Sequence, residues 1–312
     1  MLKTNEAPIL LIIFNRPDTL QIVFDAICKA KPSKLYISAD GPRRGNGSDI
    51  IKCEKAREIV KNVDWECETH YRFSDENLGC GWGPASAISW AFENEDRLIV
   101  LEDDCVPSLP FFNYCNYLLE KYLNDSRIWF ISGRSDDTDA KYFQDVDYMF
   151  SHYGHSWGWA TWERCWKHFN MEMKSIPDFI KYGGAENVFY SKKEGKLYNE
   201  KYKQFFNDKN LYTHAWDFQF GYSILSNGGL CIVPGKNLIE NIGLCGTHSS
   251  GKNEFCGLKA HEDFIIKNEP KFVLANRKFD LYHFKHHINN TLGKSPLYKR
   301  IIRKGLKIMG LR

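Results

Sequence analysis

The chain predicts an α/β fold, a mostly parallel central sheet flanked by helices, on three observations. Short runs of branched apolar residues alternate with helix-patterned stretches through the first third of the sequence. The run at Leu98–Leu101 carries no polar residue until it ends, as a strand buried on both faces requires. The most abrupt ending is in Leu98–Pro107, Leu-Ile-Val-Leu-Glu-Asp-Asp-Cys-Val-Pro, where an apolar strand stops at Glu102, Asp103 and Asp104. Open α/β sheets bind ligands at the C-terminal edge of their strands. Three adjacent like charges repel, so a cation belongs beside them. A hard divalent metal with oxygen ligands, itself holding a diphosphate, suits the site. An acidic turn closing a core strand is the plainer reading of the same residues.

Taken in order, Ile9–Phe14 is a short buried strand, and Asp18–Ala30 is a helix with Leu20, Val23, Phe24 and Ile27 on one face. Pro17 stands just before that helix, where proline is tolerated. Lys34–Ser38 is the next strand, ending in the turn signal Ala39-Asp40-Gly41-Pro42. Asp49–Val60 reads as a helix and Glu66–Phe73 as a strand. A glycine-rich loop, Asn77–Gly83, then leads into a helix over Gly83–Phe92 and the Leu98–Leu101 strand.

Further on, Leu109–Leu123 is expected to be a helix, Ile128–Ser132 a strand, Trp216–Leu225 a helix and Leu230–Val233 a strand. Aromatics crowd the stretch from Tyr148 to Phe169. Ile180–Leu211 is polar and rich in Lys and Tyr, a surface helix or an acceptor-side insertion. Asn241–Gly251 is a loop of glycine and small residues. No repeat or Pro/Ser-rich linker marks a boundary. The expected organisation is a 1–290 domain, with a nucleotide-binding half at 1–135 and an acceptor-binding half at 136–290, followed by a basic tail at 291–312. That tail has seven Lys or Arg and no acid. It reads equally as an amphipathic helix for an anionic membrane surface and as a terminal helix packed on its own domain.

Composition narrows the class. A net charge of +3 is too small to argue for nucleic acid. Aromatics make up 15% of the chain, and flat rings with polar tips suit sugars and nucleotides as well as cores. The 10 cysteines form no CxxC pair and no framework, so they read as reduced small hydrophobes. The only N-terminal apolar run is six residues long, and none approaches the roughly 20 needed to span a membrane. The expected location is cytoplasmic, with possible peripheral contact at the inner face of a membrane.

Four clusters fall where strands end: Arg16, Asp40, the Glu102–Asp104 acids and the Asn77–Gly83 loop. In a parallel sheet all four open onto one edge. A nucleotide diphosphate accounts for the set, with Arg16 offering a planar donor fork, Asp40 accepting from a base N–H and the last acid holding the metal. A helix-end arginine, a turn aspartate and a tight glycine loop are the plain alternatives. GxGxxG, GxxxxGK[ST] and HExxH are absent, which removes dinucleotide, P-loop and zincin readings. His152 and His155 have no acid at ligand spacing and read as aromatic-cluster packing. Asp217, flanked by Trp216, Phe218 and Phe220, is either a carboxylate whose apolar surroundings suit a general base or an N-cap.

In that order, Phe14-Asn15-Arg16-Pro17, Ser38-Ala39-Asp40-Gly41, Val100-Leu101-Glu102-Asp103-Asp104, Pro110-Phe111-Phe112 and Trp216-Asp217 resemble the GT-A glycosyltransferases. The branch is the one around N-acetylglucosaminyltransferase I and bacterial nucleotide-diphospho-sugar transferases, and the resemblance covers Ile9 to Gly251. It implies a Glu-Asp-Asp version of the DxD motif, with Asp104 on Mn²⁺ or Mg²⁺ and Glu102 and Asp103 on the ribose and donor sugar. It implies Arg16 and Asp40 on the nucleotide, uridine in most of the branch. It implies Asp217 as catalytic base and His248, in Thr247-His248-Ser249, near the diphosphate. The resemblance does not extend to the Trp157–Phe169 block, to Ile180–Leu211, or to the anchor and stem of the Golgi enzyme.

The implied activity is metal-dependent inverting transfer of a sugar from a nucleotide sugar to a hydroxyl of a glycan or lipid-linked glycan. A sugar-phosphate nucleotidyltransferase is one alternative, although Pro42-Arg43-Arg44-Gly45-Asn46-Gly47 is the only basic glycine-rich stretch and follows the second strand. A non-catalytic carbohydrate-binding protein is the other.

Overall fold

A computed structural model describes residues 6–143, 145–208, 216–243 and 257–288. The α/β architecture is borne out: one eight-stranded sheet, in the order β3-β2-β1-β4-β8-β6-β9-β7, is flanked by helices. Strands β1 (Ile9–Ile13), β2 (Lys34–Ala39), β3 (Glu68–Phe73) and β4 (Arg97–Glu102) are parallel. β8 (Trp159–Trp162) lies antiparallel between β4 and β6 (Ile128–Ser132). β9 (Leu230–Pro234) is parallel to β6, and β7 (Tyr148–Ser151) runs antiparallel along the far edge. A separate ribbon pairs β5 (Cys105–Pro107) with β10 (Ile239–Asn241).

The order of these strands places the site. From β1 the chain builds outward through β2 and β3, then returns to add β4 on the other side of β1. The strand order therefore reverses between β1 and β4, the point at whose C-terminal ends open α/β sheets form their ligand crevice. β1 is buried along its whole length, so its next polar side chains are those beyond Phe14.

Helix α1 (Pro17–Ala30) buries Leu20, Val23, Phe24 and Ile27, as its spacing predicts. Each such side chain contributes about 1.5–3 kcal/mol. α1 packs beside α2 (Gly47–Ile59) and α4 (Leu109–Lys121). Helix α3 begins at Gly79, not Gly83, and runs to Ala91. Glycine's poor helix propensity hides this start in the sequence. The distant Asp40 carboxylate accepts the Leu78 and Gly79 N–H groups that open the helix.

The aromatic block is largely core. Trp159 and Trp162 are fully buried in β8, and Trp166 of α5 (Glu163–Trp166) stacks on Phe169 and faces Phe220. The polar stretch after Ile180 holds α7 (Lys192–Asn207). With α6 (Ile176–Lys181) and α8 (Asp217–Ser226), it encloses a second apolar cluster around Met173, Phe189, Tyr202 and Tyr222. His152 does have an acid, contrary to its sequence surroundings. Asp280 of α9 (Arg277–His283) lies 2.7 Å from its Nδ1. The pair is 128 residues apart, so spacing could not reveal it. The cysteines among the described residues are all unpaired, as expected. No helix among the described residues is long and apolar enough to cross a membrane.

Candidate functional site

The crevice between β1 and β4 gathers one cation and a row of acids. β4 ends at Glu102, and a two-residue turn carries Asp103 and Asp104 into β5. Asp103 and Asp104 are buried, at 6% and 7% exposure. The Phe14 amide donates to Asp103 at 2.9 Å, which ties the end of β1 to the acidic turn. Arg16 follows immediately. Its guanidinium bonds Asp103 at 3.3 Å and Asp104 more closely. Burial works against the Arg16 charge, but Asp103 and Asp104 outweigh it and hold the group above its ordinary value. Asn15 between them donates to Asp49 at 2.7 Å. Asp49 also takes Arg43 at 2.5 Å, and that bond chiefly draws its carboxyl down to about 2.

One guanidinium does not neutralise this turn. Burial pushes the Glu102 carboxyl up to about 8, helped by the charges of Asp104, Asp103 and Asp217. Burial likewise lifts Asp103 to about 6 against the pull of Arg16. Carboxyls displaced upward in this way mark a place where added positive charge is stabilising.

Asp104 is clasped from the opposite side by residues the sequence did not single out. Its backbone oxygen accepts the Ile242 N–H at 2.8 Å, and Asn241 Nδ2 lies 3.4 Å from Oδ1. Gly243 approaches so closely that a Cβ there would sit 2.0 Å from Asp104 Oδ2. The glycine-rich character of Asn241–Gly251 was the available signal, and its bearing on Asp104 appears only once β10 pairs with β5.

Asp40 lies at the end of β2 on the same edge. Its carboxylate accepts Gly41 N–H at 2.9 Å, Leu78 N–H at 2.8 Å, Gly79 N–H at 3.0 Å and Asn77 Nδ2 at 2.9 Å. Four donors match the lone-pair capacity of a carboxylate. In this arrangement Asp40 holds the entrance of α3. Burial nonetheless raises its carboxyl above the ordinary value.

Asp217 is the first residue of α8, and it is exposed. The apolar enclosure expected from its sequence neighbours is therefore absent. Trp216 and Phe220 turn inward onto Trp159 and Trp166, leaving the carboxylate outside. Nor is it the N-cap, which is Trp216; its Oδ1 accepts the next N–H, that of Phe218, at 2.9 Å. It does share the crevice: its charge is felt by Glu102 and by the Cys80 thiol in the first turn of α3. Arg16, Asp40, Glu102, Asp103 and Asp104 thus lie along one sheet edge, with Asp217 of α8 within electrostatic range of Glu102. His248 lies outside the described residues, as do the Asn241–Gly251 loop beyond Gly243 and the 291–312 tail. Among the described residues, no three His, Cys, Asp or Glu side chains form a ready metal cage.

The sequence matches no protein-family model and no curated protein. Solved structures give distant likenesses. A mannosyltransferase, PcManGT from Pyrobaculum calidifontis, in complex with GDP-Man and Mn²⁺, aligns with a TM-score of 0.40 at 11% identity, over 53% of this chain. This chain spans about half of that protein, 47% of its length. HddC from Yersinia pseudotuberculosis aligns at 0.33 and 14%, over 55% of this chain and 86% of HddC. A UDP-glucose pyrophosphorylase complexed with UDP-glucose aligns at 0.27 and 10%, over 46% and 62%.

Proposed function

We propose that the protein is an inverting glycosyltransferase of the GT-A type, dependent on Mn²⁺ or Mg²⁺. It would move a sugar from a nucleotide-diphosphate donor, of the UDP-linked class, to a hydroxyl of a glycan or lipid-linked glycan. The observation that carries the reading is the meeting of Glu102, Asp103 and Asp104 with Arg16 at the sheet's switch point, with Asp217 brought within electrostatic reach from a helix 113 residues beyond Asp104.

The donor set fits a hard divalent ion. Its atoms are carboxylate oxygens, they carry more negative charge than Arg16 offsets, and the missing Cβ of Gly243 keeps the backbone close to Asp104 without filling the space with a side chain. Such ions are commonly held by one or two carboxylates and by substrate phosphates, so a full protein cage is not required. Asp104 is the residue that would hold it. When bound there, the ion supplies Lewis-acid stabilisation of the diphosphate leaving group.

The chain's own groups do the rest. Arg16 gives a planar fork to the nucleotide side, and Asp40 fixes Asn77 and the entrance of α3 beside it. Glu102 and Asp103 face the ribose and donor sugar. Asp217, solvent-facing at the start of α8, takes the proton from the acceptor hydroxyl as that oxygen attacks the anomeric carbon opposite the diphosphate. A single base with no covalent nucleophile implies inversion.

Calorimetry with a panel of UDP-sugars, with and without Mn²⁺, tests the reading. Asp104→Ala should weaken Mn²⁺-dependent donor binding at least about tenfold, and unchanged affinity would remove Asp104 from the metal site. Asp217→Asn should abolish transfer while donor binding stays within about twofold; near-normal turnover would exclude Asp217 as the base. Release of pyrophosphate from a nucleoside triphosphate and a sugar phosphate would instead identify a nucleotidyltransferase.

A further inference from the structure

A cleft of ≈ 530 Å³ lies between α3 and the segment Phe169–Glu172. Volumes of this size accommodate small ligands rather than single waters. Its α3 wall is a stripe at helical spacing, Trp82, Ser86, Ser89 and Glu93, and the small residues of that stripe leave the space open. Hydrogen bonds from outside the helix hold the two serines of this wall. Arg72 donates to Ser86 Oγ at 3.1 Å, and the Trp166 indole N–H donates to Ser89 Oγ at 2.9 Å. Trp82 stands at the upper end with 45% of its surface exposed, a large ring that the core does not use.

Two observations join this cleft to the reaction site. Trp82 stands in the first turn of α3, whose entrance Asp40 holds, and a Cβ on the next residue, Gly83, would lie 3.4 Å from Asp40 Oδ2. On the other wall, Met171 Sδ accepts from Gln219 of α8 at 3.2 Å, two residues beyond Asp217. The two walls of the cleft therefore reach the first turns of α3 and α8. Its ionisable lining decides the kind of occupant. Glu93 lines the cleft together with Arg72, and Glu172 is paired with Lys174 at 2.7 Å, so the lining carries no excess of positive charge to draw nucleotides or anionic polymers. Exposed indole surface beside scattered donors and acceptors suits a ring with an apolar face and hydroxyl edges.

We propose that this cleft is an outer acceptor subsite, binding neutral sugar rings of an oligosaccharide whose reacting hydroxyl lies at Asp217. The proposal rests on the glycosyltransferase reading above. Trp82 gives the stacking face, and Asn170, Glu172 and Arg72 meet the hydroxyls. The two walls set the direction in which the acceptor leaves the crevice.

The test is binding of the full chain to an array of neutral and anionic oligosaccharides, with Trp82→Ala and Asn170→Trp as variants. Trp82→Ala removes the stacking face, and Asn170→Trp fills the cleft. The expected result is retention of at least one neutral oligosaccharide, weakened about tenfold or more in each variant, with thermal midpoints within about 2 °C of the parent. Retention of anionic glycans alone, no retention of any neutral glycan, or equal retention by both variants would overturn the subsite. The parent protein is assayed in parallel for Mn²⁺-dependent hydrolysis of UDP-sugars without acceptor. Absence of hydrolysis with Trp82-dependent glycan binding intact would count against the glycosyltransferase reading alone. Hydrolysis without glycan binding would count against the subsite alone.

Discussion

Arg16 carries the heaviest electrostatic load of any single residue in the crevice. It meets Asp103 and Asp104 together, and it is the only guanidinium among the described residues that bonds the acidic turn. Removing it leaves buried carboxylates facing one another, and breaking such a pair costs more than the pair itself contributes. Arg16→Ala should therefore destabilise the protein by about 2–4 kcal/mol. Arg16→Lys should recover only part of that loss, because an ammonium lacks the planar fork. Chemical denaturation of the three proteins measures this. Mn²⁺ should restore more stability to the alanine variant than it adds to the parent, by supplying the missing charge. Equal gains in both would show that the ion does not act at these acids.

The element most exposed to substitution is the approach of β8 to the β5–β10 ribbon. Gly158, just before β8, has φ +57°, and a Cβ there would meet Ile239 of β10 at 2.3 Å. Its carbonyl also accepts the Gly133 N–H at 2.8 Å, fixing the end of β6. Gly158→Ala combines a left-handed backbone with overpacking, about 1–2 and about 1–3 kcal/mol respectively. The expected fall in thermal midpoint is on the order of 5–10 °C. Ile239→Ala in the same background should relieve the overlap, so the double variant should lose less than the sum of the single ones. Additive losses would place the cost in the backbone conformation alone. The ribbon also clasps Asp104, so the alanine variant should bind donor more weakly in proportion to the disturbance of β10.

For the whole molecule, pH sensitivity should arise in the second apolar cluster as well as in the crevice, where Glu102 and Asp103 are also raised. Glu194 in α7 is fully buried; Tyr153 donates to its Oε1, and Oε2 has no hydrogen-bond partner among the described residues. Burial raises its carboxyl from 4.5 to about 7. The folded state therefore holds this proton more tightly than the unfolded state does. Its contribution to stability is full below pH 4.5 and is lost as pH rises through 7. Glu194→Gln keeps an acceptor for Tyr153 and cannot ionise. It should flatten the decline between pH 4.5 and 7 and gain about 1–2 kcal/mol over the parent at pH 7.5. Denaturant midpoints across that range check it, and parallel curves for the two proteins would rule Glu194 out as the source. Neither the cluster nor the partner is visible in the sequence, where Lys192–Asn207 reads as a polar surface stretch.

The sequence by itself determined the strand ends and so the edge on which the chemistry gathers. A run such as Leu98–Leu101 can be buried only in a covered strand, and its first polar residues must then emerge where the sheet stops. The same reasoning placed Arg16 and Asp40. The periodicity of α1 held for the same cause, since an amphipathic face needs no knowledge of its partner to be read. Tertiary structure alone decided what each side chain does there. Asp217 looks enclosed in sequence, yet helix geometry sends Trp216 and Phe220 inward and the carboxylate out. Asp40 looks like a turn residue but opens a helix 39 residues away, while Gly243 becomes part of the acidic turn only because β10 pairs with β5. Local sequence fixes which groups must leave the core. Which groups then meet depends on the packing of segments distant in the chain, and no local pattern encodes it.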